Sequence, residues 1–134
     1  MKKHSKLWKE FGQIIDIIDI RINKQQRILV KLKKISQELQ KNIDEYWQRI
    51  NILQLELKDL AVVKETNALS RLFMRRESIK TSIESVFFDV SVTRQKAEDL
   101  ASEIKHVEAK KRHLEKRKDA LSEIREKLRF GKEC

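Results

Sequence analysis

Between Leu57 and Leu72 the chain reads LKDLAVVKETNALSRL, and the heptads on its two sides do not agree. Upstream, with Trp8 at position a, the a and d positions are Trp8, Phe11, Ile15, Ile18, Ile22, Gln25, Leu29, Leu32, Ser36, Leu39, Ile43, Tyr46, Ile50, Leu53, Leu57 and Leu60. Fourteen of these sixteen are apolar, where an apolar content of 40% would give roughly six by chance. Downstream, a second frame opens with Leu69 at a and runs through Leu72, Arg76, Ile79, Ile83, Val86, Val90, Thr93, Ala97, Leu100, Ile104, Val107, Lys111, Leu114, Lys118, Leu121, Arg125 and Leu128. Thirteen of its eighteen positions are apolar. Apolar residues spaced by three and then four form the seam of a coiled coil. The two a positions Leu57 and Leu69 lie twelve residues apart, a shift of five from the heptad. Continuous coiled coils absorb insertions of three or four. A shift of five calls for a break, and the polar run Lys64-Glu65-Thr66-Asn67 supplies one, with Thr66 or Asn67 able to cap a second helix. The reading predicts an all-α protein, an antiparallel two-helix coiled-coil hairpin over residues 1–134. Helix 1 is expected over about 5–63, the turn at about 64–67 and helix 2 over about 68–130. No Gly marks the end of the first helix, so one continuous helix that dimerises in parallel is the rival.

Composition supports few, long elements. The chain has no Pro and two Gly, the commonest punctuators of turns. Charged residues reach 39%, which admits disorder, but the strict periodicity of the apolar residues argues against it. Cys134 is the only cysteine, so no intrachain disulfide forms, which fits a reducing compartment. No apolar stretch approaches the ~18 residues of a membrane span. Asp16, Asp19 and Arg21 interrupt the apolar run that a signal peptide would need, and a cytoplasmic protein is expected.

Antiparallel pairing sets a against d. Placing Leu60 opposite Leu69 makes paired residue numbers sum to 129 and brings together Ser36 and Thr93, whose hydroxyls could satisfy each other. In that register Lys111 faces Ile18 and Lys118 faces Phe11. Cations at the three a positions Lys111, Lys118 and Arg125 forgo apolar burial, although long basic side chains can snorkel out of a seam. That end is expected to be held loosely, either for a partner to order or simply as a fraying terminus.

Chemistry is sparse. Neither Gly12 nor Gly131 belongs to a phosphate-binding loop. His106 and His113 are two helical turns apart, ~10 Å, too far to share a metal. The carboxylates are scattered along helix faces among Lys and Arg. No catalytic, cofactor-binding or metal-ligating residue is assigned, and neither enzymatic activity nor a small-molecule substrate is expected. Apolar residues outside the seam say more. Ile52, Leu55, Val62 and Val63 on the first arm and Phe73, Met74, Phe87 and Phe88 on the second lie at outer heptad positions, as do Ile14, Ile17 and Ile20 near the open end. Exposed apolar clusters of this kind mark interfaces, although the e and g members, Phe73 and Phe87 among them, can instead flank the seam.

Charge is polarised as well. Residues 1–34 hold ten Lys and Arg against three Asp and Glu, residues 105–134 eleven against six, and residues 35–104 ten against twelve. A hairpin joins the two basic stretches at one end, with +12 there and −2 elsewhere, which suits an acidic partner.

With these features, and with the runs Leu72-Phe73-Met74-Arg75-Arg76-Glu77-Ser78-Ile79 and Lys110-Lys111-Arg112-His113-Leu114-Glu115-Lys116-Arg117, the chain resembles the small stalk proteins of type III secretion and flagellar export (the FliJ/YscO type). The resemblance spans most of the chain and rests on no sharp motif. It implies a non-enzymatic protein, similar to the shaft of a rotary ATPase, whose open end enters a hexameric ATPase ring. It further implies contact with the membrane export gate and with chaperones of late substrates. Under it, Lys2, Lys3, Lys6, Lys9, Lys111, Lys118 and Arg125 are the candidates for the ring, and Leu72, Phe73, Met74, Arg76 and Phe88 those for the gate. The alternatives are a basic coiled-coil arm for nucleic acid, which the net charge of +10 favours and the interleaved acids disfavour, and a structural scaffold dimer.

Overall fold

The computed structural model describes the backbone of residues 2–60 and 69–130 and the side chains of 6–60 and 69–129. They form α1 (Lys2–Leu60) and α2 (Leu69–Phe130), of 59 and 62 residues. Helices this long take their stability from a packed apolar face rather than from propensity. Every a and d position from Trp8 to Leu60 is buried or half-buried, and so is every one from Leu72 to Leu128 except Arg76. The two helices pack against each other in one chain. Gln26 meets Lys111, Asp19 meets Lys118 and Trp8 meets Arg125, so α2 descends as α1 rises. The protein is therefore an all-α, antiparallel two-helix hairpin, and the single continuous helix is excluded. The turn expected at 64–67, with its caps Thr66 and Asn67 and the nearby Val62 and Val63, lies outside the described residues.

The chain divides into two compact units, a terminal unit of Met1–Lys34 with Ser102–Cys134 and a central unit of Ile35–Ala101. In the central unit Ile50, 1% exposed, packs with Val86 and Val90, bordered by Tyr46, Trp47 and Leu53. In the terminal unit Ile15, Ile18, Leu29, Val107 and Leu114 are buried along the seam.

The register differs from the expected one by a heptad. Lys111 with Gln26, Lys118 with Asp19 and Arg125 with Gly12 pair numbers summing to 137, close to 136 rather than 129. Within the central unit Ile50 clusters with Val86 (numbers summing to 136), where the expected register would have set it against Ile79. Thr93 therefore faces the Ile43 level and not Ser36. Its burial is tolerated because its hydroxyl donates to the Asp89 carbonyl one turn back, at 2.7 Å. A helical Thr always has that acceptor within reach, so the two hydroxyls did not need each other. Cysteines at 36 and 100, in a Cys134→Ser background, should therefore cross-link almost completely within one chain. Cysteines at 36 and 93, a heptad or ~10 Å out of step, should not. Efficient cross-linking of the second pair alone would restore the original register.

Candidate interaction surfaces

The two flanks of the seam in the terminal unit differ in chemistry. One carries three basic steps. Lys111, Lys118 and Arg125 occupy successive a positions of α2, and each reaches an e position of α1, also a heptad apart: Gln26, Asp19 and Gly12. Lys111 donates to the Gln26 side-chain oxygen at 2.7 Å. Lys118 pairs with the Asp19 carboxylate at 2.6 Å. Arg125 lies over the Trp8 ring, 3.7 Å from its centroid, and its Nε donates to the Trp8 carbonyl at 3.2 Å.

Gly12 makes the last step possible. A Cβ there would come within 2.6 Å of an Arg125 guanidinium nitrogen, and the site is buried. Glycine inside a helix costs about 1 kcal/mol relative to alanine, and a cation over an aromatic face contributes about 0.5–2 kcal/mol. The two nearly cancel. Gly12→Ala should thus leave stability almost unchanged in the wild-type chain, but should add about 1 kcal/mol in an Arg125→Ala background. Urea denaturation of the four proteins in this cycle checks it, and equal effects in both backgrounds would refute the coupling.

The expected seam partners of these cations are thereby corrected. Lys111 and Lys118 do not face Ile18 and Phe11; they leave the seam sideways and find acceptors on α1. The hydrogen bond from Lys118 to Asp19, and then the charge of Asp19, raise the Lys118 pKa above its ordinary 10.5. A raised ammonium pKa contributes stability below the ordinary value and loses it as pH climbs through the raised one. On the Lys118 side the contact thus persists throughout the neutral range and is lost as the ammonium deprotonates in strong alkali.

The other flank of the terminal unit is apolar and open. Leu7 (41% exposed), Ile14 (41%), Ile17 (52%) and Ile20 (66%) lie on α1, and Ile124 (43%) on α2.

In the central unit the e flank holds an aromatic cluster. Trp47 meets Phe87 edge to face, with centroids 5.7 Å apart and planes at 82°, and Arg94, a heptad after Phe87, lies 5.4 Å from the Trp47 centroid. These residues wall a shallow cleft of about 440 Å3 with Val90, Ser91, Gln95 and Glu98. Phe87 is thus part of the flank packing, as one reading of the e positions allowed. Phe73 is not: it is 64% exposed, with Met74 at 68% and Phe88 at 67%. Ile52 and Leu55 are likewise exposed on α1.

Of the residues proposed for a ring, the side chains of Lys2 and Lys3 lie outside the described residues, Lys6 and Lys9 are exposed, and Lys111, Lys118 and Arg125 are engaged by α1. Of those proposed for a gate, Leu72 is half-buried in the seam while Phe73, Met74, Arg76 and Phe88 are exposed. Met74 and Phe88 are fourteen residues apart, ~21 Å along the helix, with Glu77 and Glu84 between them, so they form two points on one face and not a continuous patch. Sequence reading missed Gly12 and the Trp47–Phe87–Arg94 cluster. A heptad alignment of the e positions would have exposed both.

Charge follows the same division. The terminal unit holds 21 Lys and Arg against 10 Asp and Glu, a net +11, and the central unit 10 against 11, a net −1. No described helix is long and apolar enough to cross a membrane. Comparison with protein-family models, curated proteins and solved structures finds no match to this chain.

Proposed function

We propose that this chain is a non-enzymatic coiled-coil stalk of a type III secretion or flagellar export apparatus. Its basic terminal unit enters the pore of a hexameric ATPase ring, and its central unit engages the membrane export gate. The reading puts it in the cytoplasm, against the inner-membrane apparatus, with chaperones of late substrates as further partners. The observation that carries it is the polarity of charge along a two-helix hairpin, +11 in the terminal unit and −1 in the central one. A narrow basic end suits an acidic, ring-shaped socket, where charge steers entry. Because Lys111, Lys118 and Arg125 already have acceptors on α1, the exposed Lys6 and Lys9 become the better ring candidates.

The test uses a purified hexameric secretion ATPase from the source organism. Stimulation by the wild-type protein should fall as salt rises. Lys6→Glu with Lys9→Glu should keep the melting temperature and lose stimulation by roughly tenfold at low salt. Full stimulation by that variant would reject the ring reading. Nucleic acid is the weaker reading, since the Trp8 ring is already covered by Arg125 and offers that face to no base. Salt-sensitive binding to a single strand, with no effect on the ATPase, would reverse that ranking.

A further inference from the structure

The open apolar flank of the terminal unit has a pattern of its own. Leu7, Glu10, Ile14, Ile17, Arg21 and Lys24 occupy alternating g and c positions, a second three-four spacing beside the first. On a helix this second seam lies about 100° around from the one that α2 covers. A helix with two such seams is built to touch two neighbours, and the hairpin supplies one.

The inner four residues of the second seam, Glu10, Ile14, Ile17 and Arg21, are complementary to themselves, and the outer pair sets Leu7 beside Lys24. Reversed and laid on its own copy about a point between residues 15 and 16, the seam sets Ile14 on Ile17, Ile17 on Ile14, Glu10 on Arg21 and Arg21 on Glu10. Each of those pairs sums to 31. Glu10 and Arg21 are exposed and have no ion-pair partner among the described residues, and Ile14 and Ile17 are 41% and 52% exposed. Segment 7–24 is also locally neutral, with Lys9, Arg21 and Lys24 against Glu10, Asp16 and Asp19. Lys111, Lys118 and Arg125 of α2 turn to the opposite flank, whereas Lys110 and Arg117, at g positions like Ile124, remain on this one.

We infer that a second copy of this chain occupies this flank, the two α1 segments lying antiparallel about a twofold axis. The contact is isologous, each copy presenting the same residues to the other. It is also small, so the dimer is weak, with a dissociation constant on the order of 10–100 µM. Two terminal units of net +11 repel each other at a distance, so added salt strengthens the dimer. Binding to an acidic partner would weaken instead. This inference does not rest on the stalk reading; it concerns the free protein.

The experiment is sedimentation equilibrium on the full chain carrying Cys134→Ser, at about 0.1 and about 0.5 M NaCl, the latter shortening the screening length to about 4 Å. The mass should rise with concentration from 16.0 kDa towards twice that value, more readily at high salt. Glu10→Arg alone and Arg21→Glu alone each place like charges across the axis and should weaken association at least tenfold. Both positions are exposed, and unchanged helical circular dichroism confirms that each variant is folded. Mixing the two single variants should restore association, because each then supplies the charge that the other needs. The double variant should self-associate like the wild type. A chain that stays monomeric at every concentration overturns the inference, as does a dimer indifferent to the single changes or a mixture without rescue.

Discussion

Truncating Ile50 to alanine should destabilise the central unit by about 2–5 kcal/mol, the range for deleting a buried isoleucine side chain. Ile50 is 1% exposed, the most buried side chain described, and Val86, Val90, Tyr46, Trp47 and Leu53 surround it. The loss has two parts, the transfer free energy of the deleted carbons and the gap that remains. Two helices are freer to close on a gap than a multilayered core is, so the lower half of the range is expected. Phe88→Ala is the control: Phe88 is 67% exposed and the change should stay within about 0.5 kcal/mol. Urea denaturation followed by circular dichroism measures both. A loss below about 1 kcal/mol for Ile50→Ala would mean that the seam does not run through that residue.

The second large effect concerns binding. Changing Met74 and Phe88 together to glutamate should leave helical content and melting temperature nearly unchanged, because both side chains are about two-thirds exposed and neither belongs to the buried cluster around Ile50. Binding to an export-gate protein should fall on the order of 100-fold or more. Each change removes an apolar anchor, and well-packed anchors are worth about 2 kcal/mol or more apiece. Each also adds a carboxylate to a face that already carries Glu77 and Glu84, and that charge must be desolvated in any dry interface. An unfolded double variant would show these residues to be core. A folded variant with full affinity would remove this face from the gate reading and leave Ile52 and Leu55 as the exposed apolar residues to test next.

How far the sequence could be read depended on which residues share a period. The seam was legible position by position, because burial of apolar side chains at three-four spacing is the term that makes long helices pair. Antiparallel pairing was legible too, from the phase break after Leu60. The register was not. Every heptad slip keeps a against d, so apolar residues alone leave slips nearly equivalent, and polar residues decide between them. The choice of Ser36 and Thr93 failed because a helical threonine can satisfy itself, as it does on Asp89. The residues with stronger preferences were Lys118 and Asp19, which gain a hydrogen bond and opposite charge only when aligned, and Arg125, which needs both the Trp8 ring and the space at Gly12. The exposed character of Met74 and Phe88 was readable from their f positions. That of Phe73 was not, since an e position can flank a seam, as Phe87 does with Trp47.

The placement of the two tryptophans gives the molecule its own optical reporters. Trp8 belongs to the terminal unit and Trp47 to the central one, and each ring has an arginine within 5.4 Å of its centroid. Indole emission responds to a neighbouring charge and to water, so each unit carries a chromophore whose spectrum changes when that unit opens. With Trp8 or Trp47 replaced by phenylalanine, the remaining emission follows one unit at a time. Coincident curves would describe a hairpin that melts as a single cooperative body, and separated ones a chain whose ends and middle come apart independently.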